Sequence, residues 1–488
     1  MKMANPLDKA SNCSYYNMSN CSQIMNTSAT LGATRTFPNH KGHPIIGSML
    51  DFRNDPVALL QRAWKQHGDA FTANIGPRKF VVLSHPKLAT EVLIERKNVF
   101  KRSNIFEGGT PLTYVLGLSL ITTDGDGWLA KRRLMQPVFH RQRIANMSDK
   151  MVAAGTSMLA RLDQHAAAAN EVNLSEEMKV VTLDIINQTM FSTNVLPEID
   201  RIGHTIDNSL TWIAGRISNP LQLPARWPTP ANRKFWSNRA QMDEFLYRII
   251  LDRRAAGEAQ TKGDLLDMLL AARDEDTHLG MNDEQVRNEV AGIYGAGHET
   301  TAIALTWAWH ALNQHPEALQ KLQAEADRVL GAGAASRAPT LADLPNLPYA
   351  LACFEETMRL YPPVPLTVRA AYEDTEIDGI PVPRRMGALI AIHNIHRHPE
   401  FWPDANEFKP ERFLPENKAK LNRNAYMPFL TGPHMCIGNN FALMEGQLLL
   451  AMMAQRYHVR EVPNQTVQRQ VAITMRPKGG LWVRFEKR

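Results

Sequence analysis

The segment Phe429-Leu-Thr-Gly-Pro-His-Met-Cys436-Ile-Gly438 delivers one cysteine in a glycine-punctuated loop directly ahead of a helical run from about Asn439 to Gln455. A helix start presents unpaired N–H groups and the positive end of the helix dipole, so a sulfur placed there is favoured as a thiolate. Gly432 and Gly438 allow backbone angles and close approaches that a side chain would block, which lets amides point at the sulfur. A lone intracellular cysteine is more often a small buried hydrophobe, and the loop by itself leaves that reading open.

The rest of the chain is read around this junction. An amphipathic helix is expected over Pro56 to His67 and a β-hairpin over Phe71 to Ser84, broken at Gly76-Pro77. Helix returns at Pro86, and apolar spacing stays mostly helical to about Arg328, interrupted by the Pro/Trp-rich stretch Pro220 to Pro230. A loop covers Ala332 to Pro345, and the next helix ends at Tyr361 ahead of Pro362-Pro363. Short strands are expected at Thr367 to Ala371 and Gly387 to Ala391, and the stretch His458 to Phe485 alternates like paired strands. No internal repeat and no nucleotide-binding glycine loop occurs. The expectation is a mainly α domain with small β-sheets over 37–488, preceded by a mobile, functionally mute tail over 1–36.

Three further groupings bear on chemistry. Glu356-Thr-Met-Arg359 sets opposite charges at i and i+3 among the apolar neighbours Phe354, Leu360 and Tyr361, where ions need partners and hydrogen bonds. Ala296-Gly-His-Glu299-Thr300-Thr301 lies inside an apolar run from about Asn288 to Leu312; its small residues leave room, and the Thr300 hydroxyl can bond back to the Ala296 carbonyl. Trp128 and Arg132 stand one helical turn apart.

These segments, in this order, resemble the cytochrome P-450 family over nearly the whole chain, from about Phe37 to Arg488. The cysteine loop matches its signature at Phe429, Gly432, Cys436 and Gly438, with Ala442 and Glu445 fitting the helix that follows. His434 stands where the family more often has an arginine, and an imidazole can still donate to a carboxylate. The resemblance implies a triangular-prism fold with haem b (iron protoporphyrin IX) between the Thr300 helix and the Cys436 helix. It implies Cys436 as the iron ligand, Trp128, Arg132, Arg369 and His434 as propionate contacts, and Gly438 beside the sulfur. Glu356, Arg359 and Arg412 become a structural network holding the cysteine loop, and Glu299 with Thr300 an acid–alcohol proton relay. The implied activity is monooxygenation: one atom of dioxygen enters a hydrophobic small molecule, by hydroxylation or epoxidation.

Composition narrows the partners. A net charge of +6 without a dense Lys/Arg run argues against nucleic acid and fits an acidic electron donor, a ferredoxin or flavodoxin with its own reductase. Lys131, Arg132, Arg133, Arg141 and Arg143 are the docking candidates. No apolar run near the start suits a signal or membrane anchor, and the scattered Cys13, Cys21, Cys353 and Cys436 form no disulfide framework; a cytoplasmic monomer is expected. The N-x-S/T triplets at Asn12, Asn17, Asn20 and Asn26 carry no meaning without secretion. Substrate is expected against Ile105 to Ile121, the Thr300 helix, Val364 to Val368 and Ala472 to Thr474. Zinc readings fail: His298-Glu299 lacks a second histidine because residue 302 is Ala, and His393, His396 and His398 read as loop histidines. A peroxygenase and a haem-thiolate gas sensor are the rival classes, and the Glu299-Thr300 pair argues against both.

Overall fold

Helix α1 (Pro56–His67) begins where the Asp55 side chain accepts a hydrogen bond from the Ala58 amide at 2.9 Å, with Pro56 in the first turn, and it stops at Gly68 with φ +82°. These are the bounds the sequence sets. The computed structural model describes residues 35–102, 111–193, 198–218, 223–257, 261–273 and 280–488. Contacts divide the chain into Met1–Thr36 and Phe37–Arg488. Of the first unit only Arg35 and Thr36 are described, so the expected tail and its N-x-S/T triplets lie outside the described residues, as do Ile105 in the expected substrate wall and Pro220 in the expected interruption.

The second unit combines a large helical part with a sheet. Strands β1 (Asn39–His40), β2 (Ala70–Ile75), β3 (Arg78–Leu83) and β4 (Phe100–Lys101) belong to a six-stranded sheet completed by β6 (Thr367–Ala371) and β9 (Gly387–Ile390). Its order is β1-β2-β3-β9-β6-β4, with β3 parallel to β9. The expected hairpin is β2–β3, register Ile75↔Arg78. β5 (Val172–Asn173) pairs with β13 (Trp482–Lys487), which also pairs with β10 (Tyr457–Glu461). Two hairpins stand apart, β7 (Thr375–Ile377) with β8 (Ile380–Val382) and β11 (Arg469–Val471) with β12 (Met475–Pro477).

The helices are α2 (Gly125–Met135), α3 (Ser148–Ala167), α4 (Leu174–Ile186), α5 (Ile199–Ser218), α6 (Pro230–Ala256), α7 (Asp283–Gln314), α8 (Pro316–Leu330), α9 (Pro348–Leu360) and α10 (Asn439–Arg456), with shorter turns between them. Helicity after Pro86 is less continuous than apolar spacing suggests. Between Arg96 and Asp124 the described residues hold only β4 and the turn Thr113–Leu116, which Gly117 ends at φ +57°. The expected loop Ala332 to Pro345 contains short 3-10 turns.

α7 runs 32 residues through the core, opened by a capping box in which Asn282 and Gln285 exchange side-chain-to-backbone bonds. It packs on α4, α6, α9 and α10, and its Tyr294, Trp307 and Trp309 are fully buried. α9 meets α10 so closely that a Cβ on Gly446 would lie 2.5 Å from the ring of the fully buried Phe354. Alanine would gain roughly 1 kcal/mol of helix propensity but overpack the contact at about 1–3 kcal/mol. Gly446→Ala is expected to lower the urea midpoint; an unchanged or higher midpoint would show that the two helices can spread.

Candidate functional site

The cysteine loop is held before it is used. Cys436 N–H donates to the Phe429 carbonyl at 2.9 Å and Met435 N–H to that of Gly432 at 3.1 Å. Gly432 has φ +76°, and a Cβ there would sit 2.5 Å from the Leu93 carbonyl oxygen, so only glycine fits. The loop crosses to Gly438, which precedes α10 and whose amide bonds the Cys436 sulfur.

Cys436 is open to solvent, yet protein surrounds it densely enough that burial pushes its thiol up, against the opposing pull of the Gly438 amide and Arg132. Burial therefore outweighs the helix start that the sequence suggested would lower it. Depth and openness coexist only where a residue faces an interior space. Across the core α7 shows the same signature: within a mostly buried helix Ala296 is exposed, and Gly295, Gly297 and Thr300 are half-buried.

A cluster of cations sits beside the loop. Arg132 Nη1 donates to the Met435 carbonyl at 2.9 Å, and the Trp128 and His434 rings lie 4.3 Å apart. His434 Nε2 is 3.3 Å from Asp124 Oδ1, while its buried Nδ1 has no protein partner. Arg369, nearly buried, donates to Val368 O at 2.9 Å. Arg102, which the sequence gave no reason to select, donates to Leu120 O at 2.7 Å, and its amide to Asp124 Oδ2 at 2.6 Å. Burial, then the neighbouring Arg369, lowers Arg102 to about 9, and burial lowers Arg369 to about 10. The guanidiniums of Arg102, Arg132 and Arg369 stand against the one carboxylate of Asp124, so the cluster fits a dianionic ligand, while His434, which burial pushes down, adds a polar ring more than a charge. A flat macrocycle with two carboxylates and a metal centre matches this donor set: cations for its acids, and a sulfur whose ionised form needs a positive partner. Asp124, which the sequence reading passed over, is the N-cap of α2, where it accepts from Gly125 N–H at 2.8 Å.

Glu356 and Arg359 form a two-bond ion pair, 2.7 Å on each arm, with neither side chain exposed. Arg359 also donates to the carbonyls of His396, Ala405 and Glu407 at 3.0, 2.7 and 2.9 Å. Glu356 accepts Lys409 N–H at 2.8 Å and lies 3.5 Å from Arg412. His396 completes the link: Nδ1 donates to Arg359 O at 3.2 Å and Nε2 accepts the Met427 amide at 2.9 Å, at the entry to the cysteine loop.

On α7 the Thr300 hydroxyl donates to Ala296 O at 2.8 Å. The Glu299 carboxyl, 2% exposed and pushed up by burial, turns to Thr474 Oγ1 at 3.2 Å and Arg476 Nη1 at 3.5 Å. Of the other histidines, His393 is buried with its Nδ1 unpartnered, and two more go to separate partners. His298 Nδ1 donates to Tyr294 O at 2.6 Å, and His398 Nε2 meets Asp69 at 3.2 Å with His85 beside them. Lys87 and Glu400 amides donate to Nδ1 of His85 and His398. Each Nε2 therefore carries a proton and serves as a donor, not a metal ligand.

A family model described as Cytochrome P450 matches residues 37–483. Cyclooctatin synthase of Streptomyces melanosporofaciens is 34% identical, spanning 88% of this chain and 90% of that protein. Cyclooctat-9-en-7-ol 5-monooxygenase of the same organism is 32% identical over 87% and 89%. Pentalenene oxygenase of Streptomyces avermitilis is 30% identical over 87% and 91%. Among solved structures, the cytochrome P450DA heme domain superposes with TM-score 0.83 at 25% identity, covering 93% of this chain and 98% of that one.

Burial alone would raise Asp124, but hydrogen bonds from His434 and from the Gly125 and Arg102 amides hold it at about 2, below its ordinary 3.8. The stability it contributes is thus present above about pH 4 and lost as pH falls toward about 2. Asp124→Asn is expected to unfold at lower urea at neutral pH, with the gap to wild type closing through that window. A gap independent of pH would remove Asp124 from the acid limb.

Proposed function

The chain belongs to the cytochrome P450 family, and from that premise we propose the roles its residues play in monooxygenation. The enzyme is a haem-thiolate monooxygenase acting on a hydrophobic small molecule and dioxygen. We assign haem b as the cofactor, whose iron the Cys436 sulfur would hold. Haem, when bound, supplies the dioxygen chemistry, and its thiolate ligand donates electron density that favours O–O cleavage. The observation that carries this reading is one deep, accessible sulfur beside three guanidiniums, buried or half-buried, that outnumber the one carboxylate among them.

Arg102, Arg132 and Arg369 would hold the two carboxylates of the macrocycle, and His434, whose Nε2 donates to Asp124, would add a bond from its free Nδ1 once that nitrogen takes up the proton an added carboxylate favours. Trp128 packs on the His434 ring and limits its rotation. Gly438 brings its amide to the sulfur and tempers its basicity. Glu356, Arg359 and Arg412, with His396, fix the loop so that the sulfur does not move when charge on it changes. Thr300 holds a proton on Oγ1 facing the interior space, and Glu299 resupplies it from a carboxyl that burial keeps easy to protonate.

Electrons come from a separate ferredoxin or flavodoxin with its reductase. Arg133 and Arg143 line an open concavity of about 690 Å³ with Gln136, Pro137, His140 and Gln142, which suits an acidic partner. Lys131 drops out of the expected docking set, because its ammonium is paired with the buried Glu289 at 2.5 Å. No described helix is long and apolar enough to cross a membrane. We place the enzyme in the cytoplasm, where a free thiol such as that of Cys353 stays reduced. The relatives named for cyclooctat-9-en-7-ol and pentalenene support a terpenoid-like hydrocarbon skeleton as substrate.

Cys436→Ser holoprotein, reduced under carbon monoxide, is expected to lose the Soret band characteristic of thiolate-ligated haem; retention of that band would take the axial role from Cys436. Thr300→Ala is expected to keep the band and divert most electrons to hydrogen peroxide. Product formation coupled as tightly as in wild type would remove Thr300 from proton delivery.

A further inference from the structure

Glu299 and Thr300 are adjacent on α7, and adjacent helical residues point about 100° apart. They cannot both face the interior space without a rotation of one side chain. The structure gives that rotation a controlling element. The Glu299 carboxyl is bonded to Thr474 and paired with Arg476, both on the segment that forms the β11–β12 hairpin.

The turn of the hairpin is closed by Ala472 N–H donating to Thr474 O at 3.1 Å, and Met475, which pairs with Val471 beside it, is held on both sides. Met475 N–H donates to Pro363 O at 2.8 Å, and Met475 O accepts Trp307 Nε1 at 2.9 Å. Arg469 pairs with Asp55 at 2.9 Å. In the turn, Ala472 is exposed, Ile473 is half-buried against the main core, and Thr474 ties the turn to Glu299. Ala472 is thus the turn residue open to contact, two positions from Thr474.

The charges around Glu299 leave Arg476 as the controlling one. His298 neighbours it on α7, Lys179 approaches from α4 and Asp207 from α5, but Lys179 and Asp207 are paired with each other at 2.6 Å. Among the described residues Arg476 has Glu299 as its ion-pair partner, and it remains about a quarter exposed.

We propose that the β11–β12 hairpin is a latch, in which Arg476 and Thr474 are positioning residues that hold Glu299 turned from Thr300 until an occupant of the cavity displaces the turn. The inference rests on the relay reading given above and assigns its regulation. Proton supply is thereby tied to occupancy, so an empty site does not draw protons for unproductive turnover.

The test follows the carboxylic-acid C=O band of Glu299 by infrared difference spectroscopy in ferric holoprotein, the band being identified by its loss in Glu299→Gln. In wild type, 4-phenylimidazole, which binds the iron and fills the cavity, is expected to shift the protonation midpoint upward as Glu299 leaves its cation. Arg476→Gln is expected to raise the midpoint by about one pH unit or more without the probe and to abolish the probe's effect. Arg476→Lys, which keeps a charge, should restore the response and exclude a folding defect. A midpoint that the probe does not move in wild type, or one that Arg476→Gln leaves in place, would overturn the latch. The relay reading fails separately, by Glu299→Gln leaving the peroxide fraction unchanged whatever the midpoints do.

Discussion

The Glu356–Arg359 pair is the interaction on which the geometry of the site depends. Both side chains are withdrawn from water, at a desolvation cost that one ion pair does not offset unless the remaining donors and acceptors are satisfied. Here Arg359 reaches three carbonyls on the stretch after β9, Glu356 takes the Lys409 amide, and Arg412 adds a second cation. Those bonds fasten irregular backbone, which has no ladder of its own, to a regular helix. The stretch between Ile392 and Cys436 is thus nearly as fixed as a secondary-structure element, and His396 passes that rigidity to Met427 at the head of the cysteine loop.

The opposite wall is built on another principle. α7 is buried nearly all round, and between Tyr294 and Trp309 its departures from burial are small residues and one hydroxyl. Small side chains open space without adding polar groups that need partners, while Thr300 satisfies itself on the preceding turn. The proximal side is therefore rigid through charge, the distal side open through lack of volume. Between them three guanidiniums face the single carboxylate of Asp124, an excess of positive charge that suits an anionic guest.

How much of this could be read from the chain varied with the range of the interaction. α1, α9 and α10 were legible to within a residue, because their ends are set locally by Asp55, Pro362 and the glycine loop. The Thr300 back-bond and the Glu356–Arg359 pair were legible because three- and four-residue spacings put their partners on one helix face. Arg102 was not, since its role arises only when β4 carries it against Asp124, Arg369 and Arg132 from distant parts of the chain. The partners of Glu299 were hidden likewise: Thr474 and Arg476 lie on a hairpin some 175 residues away. Lys131 misled because a surface-like lysine in sequence proved to be the counter-ion of a buried glutamate.

The parallel pairing of β3 with β9 has a consequence for biosynthesis. Val81 and Val82 bond to strand residues Ala388 and Leu389, about three hundred positions later. At roughly 5–20 residues per second of translation, the β2–β3 hairpin leaves the ribosome with an unfilled hydrogen-bonding edge for about 15 to 60 s. Such an edge invites pairing with other nascent chains until its own strand arrives. Yield of active protein in a host should thus respond to elongation speed and chaperone supply as strongly as to the stability of the finished molecule.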